Sequence, residues 1–69
     1  MRNSDRIYST LLEMASLWAN TIPDWRFMQV VANFQSWLGS DGFYLEDDQF
    51  LEKFKKYINE LKRYGYGAE

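Results

Sequence analysis

Three groups of side chains in this sequence have the types and spacing to hold a ligand or take part in chemistry. Glu46-Asp47-Asp48 sets three carboxylates in succession, the raw material of a cation site. Asp24, Arg26, Gln29 and Asn33 form a second polar group, in which spacings of three and four residues stack Arg26, Gln29 and Asn33 along one strip of a helix. Lys53, Lys55, Lys56, Lys62 and Arg63 gather five of the eight cations into one C-terminal segment, as a helix reading a nucleic-acid groove would.

Each group also has a plainer reading. Consecutive residues on a helix diverge, and the alternating Asp or Asn and the Gly of a calcium loop are missing around residues 46–48. Carboxylates at a helix start are explained by the positive end of the helix dipole, so no metal is expected. The strip of Asp24, Arg26 and Gln29 reads as a polar network in which Arg26 bridges to Glu46, Asp47 or Asp48, since its planar fork suits carboxylates. The alternative is that Arg26 faces a partner. Glu52 and Glu60 interrupt the basic segment, which makes a solvated helix face the better account and nucleic-acid binding the alternative.

Catalysis has little to work with. Histidine and cysteine are both absent, which removes the commonest general base, thiol nucleophiles and Cys-ligated zinc. No phosphate-cradling glycine loop or nucleophile elbow is present. Neither enzymatic activity, nor a cofactor, nor a small-molecule substrate is expected.

The elements that must position these groups follow from hydrophobic periodicity. At 69 residues the chain makes one domain, 1–69, expected to be all-α: three helices at about 5–20, 23–38 and 46–63. Ser4 and Asp5 are good helix caps, and Ile7, Leu11, Leu12, Met14, Ala15 and Trp18 form the expected core stripe of the first helix. Tyr8 and Ala19 flank that stripe, and Leu17 falls off it. The second helix is expected to open near Pro23, capped by Thr21 or Asp24, and to be the central one, because its apolar arc is broadest. Gly39-Ser40-Asp41-Gly42 supplies a cap and a turn between the second and third helices. Phe43-Tyr44-Leu45 follows as a short bridge whose rings are expected to pin the loop to the core. The third helix carries Phe50, Leu51, Phe54, Tyr57, Ile58 and Leu61 on one side, and residues 65–69 are expected to fray.

The stretch 22–54 resembles a set of short, mostly uncharacterised helical proteins of bacteria and their phages. These have a Pro-Asp-X-Arg-X-Gly-Gln segment followed by an aromatic pair and an acidic helix start. Here the segments read Pro23-Asp24-Trp25-Arg26-Phe27-Met28-Gln29 and Phe43-Tyr44-Leu45-Glu46-Asp47-Asp48, with Met28 in place of the glycine. The resemblance implies a small helical protein often carried on mobile elements, in which Asp24, Arg26, Gln29 and Tyr44 work with the acidic step. It implies no activity.

Composition points to function through excess. Three Trp, five Tyr and five Phe are more ring surface than so small a core can hide, at ~150–250 Å² each. The expected function is therefore a non-catalytic protein-interaction module, binding a protein partner or a second copy of itself through exposed residues among Trp25, Met28, Trp37, Phe43 and Tyr44. A net charge of −2 gives no field for nucleic acid, and no apolar run is long enough for a membrane span or signal peptide. The expected compartment is the cytoplasm.

Overall fold

The computed structural model describes residues 3–65. Three helices account for the fold, as expected: α1 (Asp5–Thr21), α2 (Phe27–Leu38) and α3 (Asp47–Arg63). Residues 66–69, where most of the expected fraying falls, lie outside the described residues.

The helix ends show how local chemistry sets the boundaries. At the start of α1 the cap comes from Asn3, whose Oδ1 accepts the Asp5 N–H at 2.9 Å; the Ser4 side chain makes no cap bond. At its end the Ile22 N–H still donates to the Trp18 carbonyl, but Pro23 disfavours helical geometry at Ile22, which sits at φ −135°, ψ 57°. Pro23 and Asp24 then form a turn, closed by the Trp25 N–H donating to the Ile22 carbonyl at 3.1 Å.

α2 consequently opens at Phe27, four residues later than the sequence suggests. Its cap is neither Thr21 nor Asp24 but Arg26, whose backbone N–H donates to Gln29 Oε1 at 2.7 Å. α3 uses the same device one residue before its start, with the Glu46 N–H donating to Gln49 Oε1 at 3.0 Å.

Gly39 ends α2 at φ 83°, a left-handed position that glycine takes without strain, and its N–H donates to the Gln35 carbonyl. The following loop docks through Leu45, not through its rings. A turn returns the Leu45 N–H to the Gly42 carbonyl, while Phe43 and Tyr44 pack edge to face on one another at 5.0 Å and stay outside. Two consecutive residues in a turn cannot both face inward, and Leu45, half-buried beside Gly42 and Leu38, takes the inner place.

The core is small: Met14, Ile22, Val30, Phe34, Phe54, Tyr57 and Ile58. α1 lies closely along α3, with the starts of the two helices together, whereas α2 stands further off and reaches α3 through side chains. Phe34 makes that reach. Its ring lies 5.4 Å from Phe54, 5.6 Å from Phe50 and 5.8 Å from Tyr57, each edge to face, and 6.0 Å from Trp37 in a stack. Edge-to-face pairs satisfy the ring quadrupoles and hold the helices at ring-width separation.

The main departure concerns how α1 is rolled about its axis. Its inward side consists of Arg6, Thr10, Met14, Leu17, Trp18 and Thr21, while Ile7, Tyr8, Leu11, Leu12, Ala15 and Ala19 are exposed. Relative to the stripe read from sequence, the helix is turned by roughly one residue step, about 100°. Leu17, off the expected stripe, is packed against the core, and Leu12, on it, is 70% exposed.

Both ends of α1 are tied in this roll. Arg6 forms an ion pair with Asp47 at the start of α3, and the Trp18 indole Nε1 donates to the Trp25 carbonyl at 3.1 Å. A cost shows at Thr21, which is 2% exposed with its hydroxyl unpartnered.

Two stability measurements test this account. Phe34→Ala is expected to lower unfolding free energy by about 3–5 kcal/mol, enough to unfold much of so small a domain, in a urea titration followed by circular dichroism. Thr21→Val, which keeps the β-branch and removes the orphaned hydroxyl, is expected to raise stability by up to about 1 kcal/mol. A loss in the same titration would mean that the hydroxyl is hydrogen-bonded.

Candidate interaction site

The six residues expected to form a polar network divide into separate local roles. Asp47 is half-buried and paired with Arg6, a residue sequence reasoning did not place there. Asp48 Oδ1 accepts the Gln49 N–H at 2.9 Å, and Gln29 and Arg26 are occupied with each other at the start of α2. Asp24 and Glu46 are exposed. No ion pair joins Arg26 to the acidic step among the described residues; the cation serving that step there is Arg6. The reason is the late start of α2, which leaves Arg26 as an extended cap outside the helical strip expected to align it with Gln29 and Asn33. Tyr44, at 91% exposed, stands apart from these groups.

The five aromatic and Met candidates also split. Trp37 is half-buried against Phe34 and Tyr57, and Trp25 packs beside the core with its carbonyl bound to Trp18; both are structural. Met28, Phe43 and Tyr44 are exposed. Sequence reasoning missed Tyr8, Leu11, Leu12, Ile7 and Phe27, all large, apolar or aromatic, and open to solvent. The usable signal was the run Tyr8, Leu12, Ala15, Ala19, whose 4-3-4 spacing forms a second apolar stripe beside the one chosen as core.

These residues adjoin an open seam. α1 and α2 meet through the Trp18 and Phe27 rings, 5.9 Å apart, and beside that contact a cavity of about 240 Å³ opens between them, with Leu11, Phe27 and Val31 on its walls and Met14, Phe34 and Phe54 among its lining. At its loop end the Gln35 side-chain amide donates to the Asp41 carbonyl, so this polar pair is already satisfied. Leu11 and Phe27 line the seam and are also open to solvent, so the groove runs into the exposed apolar arc of α1. It has the chemistry to exclude water against another apolar surface.

The basic segment of α3 does not form one cationic face. Lys53 and Lys55 point to nearly opposite sides at 100° per residue. A shallow depression between α1 and α3 mixes Lys55 and Lys56 with Glu13, Asp48 and Glu52. No helix among the described residues is long and apolar enough to cross a membrane.

The arginine assignment is tested by truncation. Arg6→Ala is expected to cost about 0.5–1 kcal/mol, since the pair is part-exposed and the buried stem is also lost, with Arg6→Met recovering part of it. Arg26→Ala is expected to stay within about 0.5 kcal/mol of wild type in the same urea titrations, because its contribution is a backbone N–H that alanine also has. The reverse ranking would restore Arg26 as the bridge. No protein-family model, curated protein or solved structure matches this chain at a significant level.

Proposed function

We propose that this chain is a non-catalytic protein-interaction module of bacterial or phage origin, engaging a protein surface through the apolar arc of α1 and the adjoining α1–α2 seam. The observation that carries the reading is the roll of α1: Arg6, Thr10 and Thr21 face inward while Tyr8, Leu11 and Leu12 face solvent. An isolated soluble helix favours the opposite arrangement, by ~1.5–3 kcal/mol for each large apolar side chain fully buried. A contiguous apolar surface of this kind is the mark of a binding face. The interrupted charge of α3 argues against a phosphate-led role.

A paired variant tests it. Leu12→Lys/Met28→Lys places charge on the exposed arc of α1 and on the exposed side of α2 without touching a buried residue. Wild type, immobilised in bacterial extract, is expected to retain a protein in near-stoichiometric amount, its own chain included, which the variant loses while keeping its helical signal. Equal retention by the two would overturn the reading. So would tight binding of wild type to random duplex DNA that weakens steeply with salt, which would move the function to α3.

A further inference from the structure

The exposed stripe of α1 carries its own instruction about what covers it. Tyr8, Leu12, Ala15 and Ala19 occur at 4-3-4 spacing, the alternation of a coiled-coil seam. Bulky residues fill its first half and alanines its second, and all four are exposed. When two such helices are laid antiparallel about a twofold axis, residues whose numbers share a constant sum face one another. With that axis between residues 13 and 14, Leu12 faces Ala15 of the other copy and Tyr8 faces its Ala19. Every large side chain then meets a small one, on both sides of the axis. A twofold interface has to be self-complementary in this way, and a helix shaped for an unrelated partner carries no such requirement.

We infer that the protein pairs with a second copy of itself through antiparallel α1 helices in this register, an inference that rests on the proposed interaction role and names its partner. The flanks agree. Leu11 lies along one edge of the stripe and Ser9 and Ser16 along the other; Asp5 continues the stripe at its start, where the antiparallel register sets the two copies' carboxylates at opposite ends of the seam. The area agrees as well. Tyr8, Leu11, Leu12 and the two alanines expose on the order of 450 Å² per copy, so that even complete burial gives roughly 900 Å² in the pair, the low end for a specific interface. A dimer of this size is expected to be reversible.

The register is tested by a swap, using sedimentation equilibrium of the full chain across micromolar to near-millimolar concentration. Leu12→Ala removes the knob and Ala15→Leu fills the hole, and each alone is expected to weaken dimerisation about tenfold or more. The double variant Leu12→Ala/Ala15→Leu exchanges knob and hole and is expected to restore dissociation to within about threefold of wild type, because the facing pair is recreated. Both positions are exposed and all the residues used favour helix. Circular dichroism at dilute, monomeric concentration confirms that each variant folds. Dimers indifferent to the single changes, or not rescued by the swap, would overturn the register. A wild-type chain that stays monomeric throughout would overturn self-pairing itself. In that last case, loss of a retained protein by Leu12→Lys/Met28→Lys would leave the broader interaction role standing.

Discussion

The roll of α1 about its own axis is the constraint from which the rest of this molecule follows. Two ties fix it, one at each end: the Arg6–Asp47 ion pair joins the starts of α1 and α3, and the Trp18 indole holds the carbonyl of Trp25. Neither is strong alone. A part-exposed ion pair and a neutral hydrogen bond are each worth ~1 kcal/mol or less to ~1.5 kcal/mol. Acting about 12 residues apart on one rigid rod, they leave α1 little rotational freedom. Met14 supplies the central buried contact between them. The unpartnered hydroxyl of Thr21 is what this orientation costs inside, and the open arc of Tyr8, Leu11 and Leu12 is what it produces outside.

The ring cluster explains why that arc is not simply covered by α2. Phe34 keeps α2 at a distance from α3 set by aromatic thickness, with Phe50, Phe54 and Tyr57 against it. At that distance α2 meets α1 through the Trp18 and Phe27 rings, and the seam beside that contact stays open. The abundance of rings thus acts twice. Three are buried and hold α2 off, while Tyr8, Phe27, Phe43, Tyr44 and Tyr64 remain on the surface. A domain of this size has too little interior for both sets.

The helix count and the Gly39 cap were legible in the sequence because periodicity and left-handed geometry are local properties. The start of α2 was less so. Pro23 fits the first turn of a helix as well as it fits a loop, and the choice was made by the distant Trp18, whose indole binds the Trp25 carbonyl. Gln29, three residues past Arg26, was the local signal of the true start. The roll of α1 was illegible for a related reason: the helix has two adjacent apolar stripes, and only ties to other elements select between them. Arg26 was favoured over Arg6 as the partner of the acidic step because its neighbours looked like a motif, whereas the helices' parallel placement brings Arg6 to Asp47 from 41 positions away.

Under the proposed pairing, fold and association are coupled in this chain. α3 carries charges of mixed sign, with Lys55 and Lys56 set beside Asp48, Glu52 and the Glu13 of α1. α1 is different: its outer stripe gains by leaving water, and pairing it stabilises the folded chain by mass action, since the unfolded chain has no such surface. For a domain with seven buried apolar side chains, that contribution matters to whether the fold persists at all. Arg6 and Trp18 sit outside the pairing stripe, yet they orient it. If α1 pairs as proposed, weakening either tie should let it roll toward its other apolar stripe and weaken the pairing. On that reading, interface strength is governed partly by residues that never touch the partner, through the one degree of freedom they control.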